Sequence, residues 1–167
     1  CSSSGLSRAA GRLARGVISV QRTVHLPYSV SSVFDAVNSP ATAPIIDPSV
    51  TSWTPDRLPI AVGTRFAIRC HLGSLPIRGT SEVTTWSPPT DPGTAGLAVY
   101  RSISPKLARI TAIHSFEPEG EGTQYTWRLE FERSVLPCVL IRWLAGRFER
   151  AIAAQHSALR AHLAATQ

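Results

Sequence analysis

The segment Thr123–Glu132 constrains this chain more than any other. Tyr125, Trp127, Leu129 and Phe131 fall on one face of it, and Thr126, Arg128, Glu130 and Glu132 on the other. A two-residue period of this kind marks a half-buried antiparallel strand. Its aromatic face needs a large apolar partner, and the C-terminal segment supplies one. From Val139 to Ala165, Ile141, Leu144, Phe148, Ile152, His156, Leu159 and Leu163 recur at intervals of three and four, the stripe of an amphipathic helix. Arg142, Glu149, Arg150 and Arg160 take the opposite side. At about 1.5 Å per residue such a helix reaches nearly 40 Å, enough to span a whole sheet.

The rest of the chain reads as more strands, with helical signals only near the start. Val17–Leu26 is predicted as a strand that Pro27 ends. Ser29 or Ser31 can cap a short helix through Asn38, with Val30, Val33, Phe34 and Val37 as its apolar stripe. Pro40 stops it, and Ala41–Ile46 adds a further turn before Pro48. Strands are then predicted at Thr51–Asp56, Gly63–Leu72, Ile77–Trp86, Gly96–Ser104, Ala108–Glu117 and Thr123–Arg133. Gly73-Ser74 and the run Pro118 to Gly122 make turns, and Pro88 to Gly93 makes a loop.

At 167 residues, 43% hydrophobic and 17% charged, the chain has the size and composition of one globular domain. No apolar run approaches the roughly 20 residues needed to span a bilayer, and no signal-peptide pattern is visible. These features predict a soluble, cytoplasmic protein. The chain has no methionine, which predicts a processed or truncated product. Cys1 followed by Ser2, Ser3, Ser4 and Gly5 resembles a lipoprotein after signal cleavage; the alternative is a mere boundary of the sequence. Residues 1–16, with Arg8, Arg12 and Arg15 and little apolar surface, are expected to form a basic arm capable of weak contact with an anionic membrane.

The net charge is +6, and all but one of the seventeen basic residues are arginine. They are scattered through alternating strands with no recognition helix or stacking motif beside them, so no nucleic-acid partner is expected. The three cysteines, Cys1, Cys70 and Cys138, are too few and too far apart for a zinc site or a disulfide framework, and no metal is expected. There is no phosphate-binding glycine loop, dinucleotide fingerprint, nucleophile elbow or H-E-x-x-H, hence no expected cofactor. Oligomeric state is left open.

Several patterns occur together in a telling order. They are Val20-Gln21-Arg22-Thr23-Val24 running through Pro27 into Ser32-Val33-Phe34-Asp35-Ala36-Val37; Val62-Gly63-Thr64-Arg65-Phe66; Glu82-Val83 ahead of Pro88; and Phe116-Glu117-Pro118 before Gly122-Thr123. With them the chain, over residues 17–165, resembles the START and birch-pollen-allergen-like (SRPBCC) superfamily, and within it the bacterial polyketide cyclase/dehydrase and lipid-transport branch. The resemblance implies an α+β helix-grip fold. A curved antiparallel sheet of about seven strands would wrap the long C-terminal helix, with two short helices after the first strand, and residues 17–167 would form one START-like domain. It also implies a cavity between sheet and helix for an apolar molecule such as a lipid or polyketide.

Alternation and resemblance together place Ala112, His114 and Phe116 inward beside Tyr125 and Trp127. The expected ligand-binding residues are Phe66, Ile68, Arg101, Phe116, Tyr125, Trp127, Leu129, Phe148 and Ile152. Arg101 and Tyr100 point to opposite faces of their strand, so at most one of them lines a pocket; an inward Arg101 would suit a carboxylate or enolate. Trp53 and Trp86 read as rim aromatics or as core. His114, and His156 on the helix stripe, are either core histidines bonded to a hydroxyl or carbonyl, or an acid/base pair for cyclisation or dehydration. Three functions therefore compete: a carrier of an apolar molecule without chemistry, a cyclase, aromatase or dehydratase, and an interaction module with an occluded core.

Overall fold

In the computed structural model, which describes residues 17–72, 75–91, 93–103, 109–132 and 138–166, the alternating segment pairs on both sides. The strands are β1 (Val17–Leu26), β2 (Val50–Pro55), β3 (Arg65–Leu72), β4 (Leu75–Ser87), β5 (Gly96–Ile103), β6 (Arg109–Glu119) and β7 (Gly122–Glu132). They form one antiparallel sheet in the order β1-β7-β6-β5-β4-β3-β2. Helices α1 (Val30–Asn38) and α2 (Ala43–Ile46) follow β1, and α3 (Cys138–Ala165) closes the chain. The helix-grip architecture expected from the resemblance is present. Residues 1–16, and with them Cys1 and the basic arm, lie outside the described residues.

Local chemistry explains the boundaries. The Ser29 hydroxyl accepts from the Ser32 backbone N–H at 3.3 Å, capping α1. The β6–β7 connection tightens to two residues because Gly120 takes φ +60°, so pairing runs to Glu119 and resumes at Gly122. β3 starts at Arg65, two residues later than the pattern suggested. Gly63, at φ +85°, is spent on a turn whose N–H reaches the Val83 carbonyl.

Register carries the inner face across the sheet. Trp127 pairs with His114, which pairs with Ala98; Leu129 pairs with Ala112, which pairs with Tyr100 and then Val83. A bulge between Val83 and Thr85 resets the phase of β4, so Val83 and Trp86 both point inward although an odd number of positions separates them. Trp86 thereby meets Phe34 of α1 edge-on at 5.1 Å. From α3, Ile152, Leu159 and Leu163 are buried against this layer, with Gln155 and His156 beside them. The side chains of Ile141, Leu144 and Phe148 lie outside the described residues. No helix among the described residues is long and apolar enough to cross a membrane.

The hairpin that holds β7 leaves no room at its start. A Cβ added at Gly122 runs into the Leu26 carbonyl oxygen and the His25 ring, whereas one at Gly79 meets nothing within 4 Å. Gly122→Ala is expected to lower the unfolding free energy by about 1–3 kcal/mol in urea titrations, and Gly79→Ala to leave it unchanged or slightly raised.

Candidate functional site

A strongly curved sheet cannot stay flush against a straight helix, and the gap left here is a cavity of about 150 Å³. From the sheet it is walled by Trp53, Ile68, Ser81, Tyr100, Ala112, His114 and Trp127. Val37 of α1, Ala43 and Ile46 of α2, and Asp47 just after α2 close one side, and Gln155 reaches in from α3. Trp127 and the buried edge of α3 thus look onto a common space.

The wall is aromatic because of the register described above. Trp127 lies over His114 at 5.4 Å and 19°, His114 over Tyr125 at 6.0 Å and 9°, and Phe116 over Tyr125 at 5.0 Å and 15°. Tyr100 stands edge-on to His114, Phe66 and Trp53, and Trp53 stacks on Phe66 at 4.2 Å. Two polar contacts pin these rings. Tyr100 donates to Asn38 Oδ1 at 2.7 Å, and the Asn38 amide donates to the Phe34 carbonyl at 2.8 Å. Tyr125 and His114 Nδ1 share a 2.8 Å hydrogen bond.

That bond has a preferred direction. Burial, then nearby Tyr100 and Asp47, push the Tyr125 phenol well above its ordinary range, so it keeps its proton. Among the described residues the hydroxyl has no other hydrogen-bond partner, and a buried O–H without an acceptor is costly. Tyr125 therefore donates to Nδ1, and the His114 proton sits on Nε2. Burial, then His156, hold the His114 pKa down to about 3, so the ring is neutral. His114 is a neutral hydrogen-bond donor and not a base.

Of the residues the sequence singled out, Ile68, His114 and Trp127 line the cavity, together with Trp53, Tyr100 and Ala112. Phe66, Phe116, Tyr125, Leu129 and Ile152 are buried in the core and are not among the residues that line this cavity. The sequence had put them at the ligand; the structure places them in the core beside the cavity. The Phe148 side chain falls outside what the structure describes. Arg101 is also corrected: Tyr100 takes the inward position, and Arg101 projects from the outer face to Glu132 Oε1 at 2.9 Å. His156 is buried on α3 and edge-on to Tyr125 at 5.3 Å, yet is not among the cavity-lining residues, so the two imidazoles do not flank one space. Burial, then Arg22 and Arg160, lower its pKa to about 4.

Sequence reading missed Ser81, Gln155 and Asp47. Ser81 holds an inward position two residues before Val83, and Gln155 lies three after Ile152 on the same helix stripe, so strict periodicity would have found both. Nothing local marks Asp47, which long-range packing leaves half-buried. Its Oδ1 accepts from the Ser49 N–H at 2.9 Å and the Ser49 hydroxyl at 2.6 Å, and burial outweighs these bonds to raise its pKa. Among the described residues the Ser81 hydroxyl, Trp127 Nε1 and Gln155 Oε1 are buried without a hydrogen-bond partner.

Two measurements test this electrostatic picture. Unfolded histidines titrate near 6.5, above the folded values of about 3 and about 4. The unfolded chain therefore binds more protons between these limits, and stability falls as pH drops from about 6.5 towards 3. Urea midpoints recorded through this window should decline for the wild type and decline less steeply for His114→Gln. Long-range ¹⁵N–¹H spectra of labelled imidazoles should show His114 as the Nε2–H tautomer, and Tyr125→Phe should abolish that preference.

A family model described as polyketide cyclase/dehydrase and lipid transport matches residues 17–164. No curated protein matches the chain in sequence. Among solved structures, a Thermus thermophilus protein superposes with a TM-score of 0.72 at 17% identity, covering 90% of this chain and 99% of its own. The Zhui aromatase/cyclase of Streptomyces sp. R1128 gives 0.69 at 16%, covering 88% and 93%. A START superfamily protein of Mycobacterium smegmatis gives 0.67 at 15%, covering 89% and 99%. At such identities these likenesses speak for the fold alone.

Proposed function

Since the chain belongs to the polyketide cyclase/dehydrase and lipid transport family, we propose that it binds a small, largely apolar molecule in the cavity between its sheet and α3. The observation that carries this reading is the space itself. Trp127, Ile68, Trp53, Ala112 and Ile46 present apolar surface to a volume of about 150 Å³ that the chain does not fill. Packed interiors do not leave such voids without cost, since each one forfeits dispersion contacts around its lining. Where a fold keeps an apolar hollow with a few convergent polar groups, ligand binding is the default role. The Xanthomonas axonopodis STAR-related lipid transfer protein, alike in fold at 13% identity, is consistent with this class of role.

Native mass spectrometry of the protein as purified is expected to reveal a bound small molecule. Ala112→Phe, which fills the hollow from the sheet side, is expected to weaken binding of that molecule at least about tenfold, or ~1.4 kcal/mol. Unchanged affinity in a folded Ala112→Phe protein would place the ligand elsewhere.

One feature favours a second reading, a cyclase or dehydratase. Asp47 is a carboxylate at the cavity wall whose pKa burial raises, the condition that makes a carboxylate a competent base. Asp47 would take a proton from an enolisable carbon while the Nε2–H of His114 donates to the carbonyl oxygen that becomes an enolate. This replaces the pairing of His114 with His156. Under it, Asp47→Asn cuts turnover of a β-keto aromatic precursor by 10²-fold or more, while His156→Ala leaves the chemical step intact; equal activity of both variants and wild type removes the enzymatic reading.

A further inference from the structure

On the outer face of the sheet, one cross-strand pair breaks the pattern of charge. Inward Ile68 and Ser81 fix the phase of β3 and β4, so Arg65 and Arg69 on one, and Arg78 and Glu82 on the other, project outward. With Arg101, Arg109 and Arg128, the same alternation puts six arginines on this face. Four are answered by carboxylates: Arg65 by Glu82, Arg101 and Arg109 by Glu132, and Arg128 by Glu130. Arg69 and Arg78 face only each other. They are Cα partners in the β3–β4 ladder, both exposed, and neither makes an ion pair among the described residues. No acid elsewhere in the chain supplies the missing partner, because all eleven Asp and Glu residues lie within the described segments.

Side chains directly opposed in an antiparallel pair have Cβ atoms about 4.5–5.5 Å apart, and like charges there destabilise the sheet. Salt and solvent screen part of that repulsion but put no attraction in its place. On the other side of Arg69, Ser52 of β2 is its Cα partner and shares the outward face, so the row Ser52, Arg69, Arg78 crosses three strands. The nearest outward carboxylate along β4, Glu82, is already held by Arg65. Two guanidiniums side by side, next to a hydroxyl and away from any free carboxylate, suit an oxyanion. Each guanidinium is a rigid fork of N–H donors that takes two oxygens of one anion. A carboxylate has a single charge, which one fork answers. A phosphate monoester carries about −1.5 to −2 at neutral pH and three strong acceptor oxygens, enough for both forks and the hydroxyl.

We propose that Arg69 and Arg78, with Ser52 beside them, form a binding site for a phosphate monoester group on the outer face of β2, β3 and β4. Bound phosphate replaces the repulsion between the two arginines with charge-assisted contacts to both. The site is distinct from the cavity: Ile68, next in the chain to Arg69, lines the cavity from the opposite face of the sheet. It therefore stands or falls independently of the pocket reading above. The recognised chemistry is the phosphate monoester, whether carried by a soluble molecule or by a lipid headgroup.

The arginine Nε–Hε signals of the ¹⁵N-labelled full chain, followed during titration with inorganic phosphate and with acetate at matched ionic strength, test it. Signals of Arg69 and Arg78 are expected to shift saturably with phosphate, at an affinity at least about fivefold above that for acetate, since two forks engage the one and a single fork the other. Arg69→Gln and Arg78→Gln should each weaken phosphate binding about fivefold or more. Arg65→Gln, whose side chain Glu82 already holds, should change it by less than about twofold. Removing one of two opposed charges relieves repulsion, so the urea midpoint of Arg78→Gln in phosphate-free buffer should equal or exceed that of the wild type, which also reports a folded sheet. Cosedimentation with phosphatidylcholine vesicles, with and without phosphatidic acid, identifies the source. Retention that requires both phosphatidic acid and Arg69 supports a lipid headgroup, and phosphate binding without vesicle retention supports a soluble ester. Equal affinity for phosphate and acetate overturns the proposal. Phosphate binding that persists undiminished in Arg69→Gln and in Arg78→Gln does so too, because the anion would then answer only the net positive charge of the chain.

Discussion

The contact between the aromatic face of β7 and its neighbouring strands organises the rest of this molecule. Tyr125 is fully buried, stacked between Phe116 and His114 and met edge-on by His156 from α3. Such offset and edge-to-face pairs gain about 0.5–1.5 kcal/mol each beyond the burial of their area. They require the inward rows of adjacent strands to stay in register. That register lets Trp127, His114, Tyr100 and Phe66 follow one another across the sheet, and it presents a rigid, ring-built wall to whatever lies opposite.

A rigid wall explains why the hollow persists. Flexible aliphatic chains would collapse into a gap of this size, whereas rings braced against one another lack the rotamers to do so. The bracing is partly polar. Tyr100 is tied to Asn38 on α1, and Tyr125 to His114, so the two tyrosines are held both by packing and by a directed bond. The same low-polarity setting that keeps both tyrosines protonated and both buried histidines neutral makes the unpaired atoms of Ser81, Trp127 and Gln155 consequential.

Ion pairs play a different part on the far side of the sheet. Arg101 and Arg109 both approach Glu132, and Arg65 approaches Glu82, on side chains that are mostly 40% or more exposed. Screened by solvent, such pairs contribute little stability individually. Their role is to mark the outer face. Charge placed there leaves the inner face to rings and a few selected polar groups.

The amino-acid sequence by itself determined which residues alternate, where strands and helices break, and which side of β7 and α3 must be buried. These are properties of a period of two or of three and four, and each is written within a dozen neighbouring residues. With the family resemblance added, Ile68, His114 and Trp127 could be put on the inward face on that basis. Tertiary structure alone decided which buried residues border empty space and which lie behind it, because that depends on how tightly sheet and helix close. It also turned Trp86 inward through a bulge, sent Arg101 to Glu132, and brought Asp47 from an unremarkable loop to the cavity wall. Periodicity describes one segment's own geometry; a cavity is a relation among segments distant in the chain, and its walls become visible only when they meet.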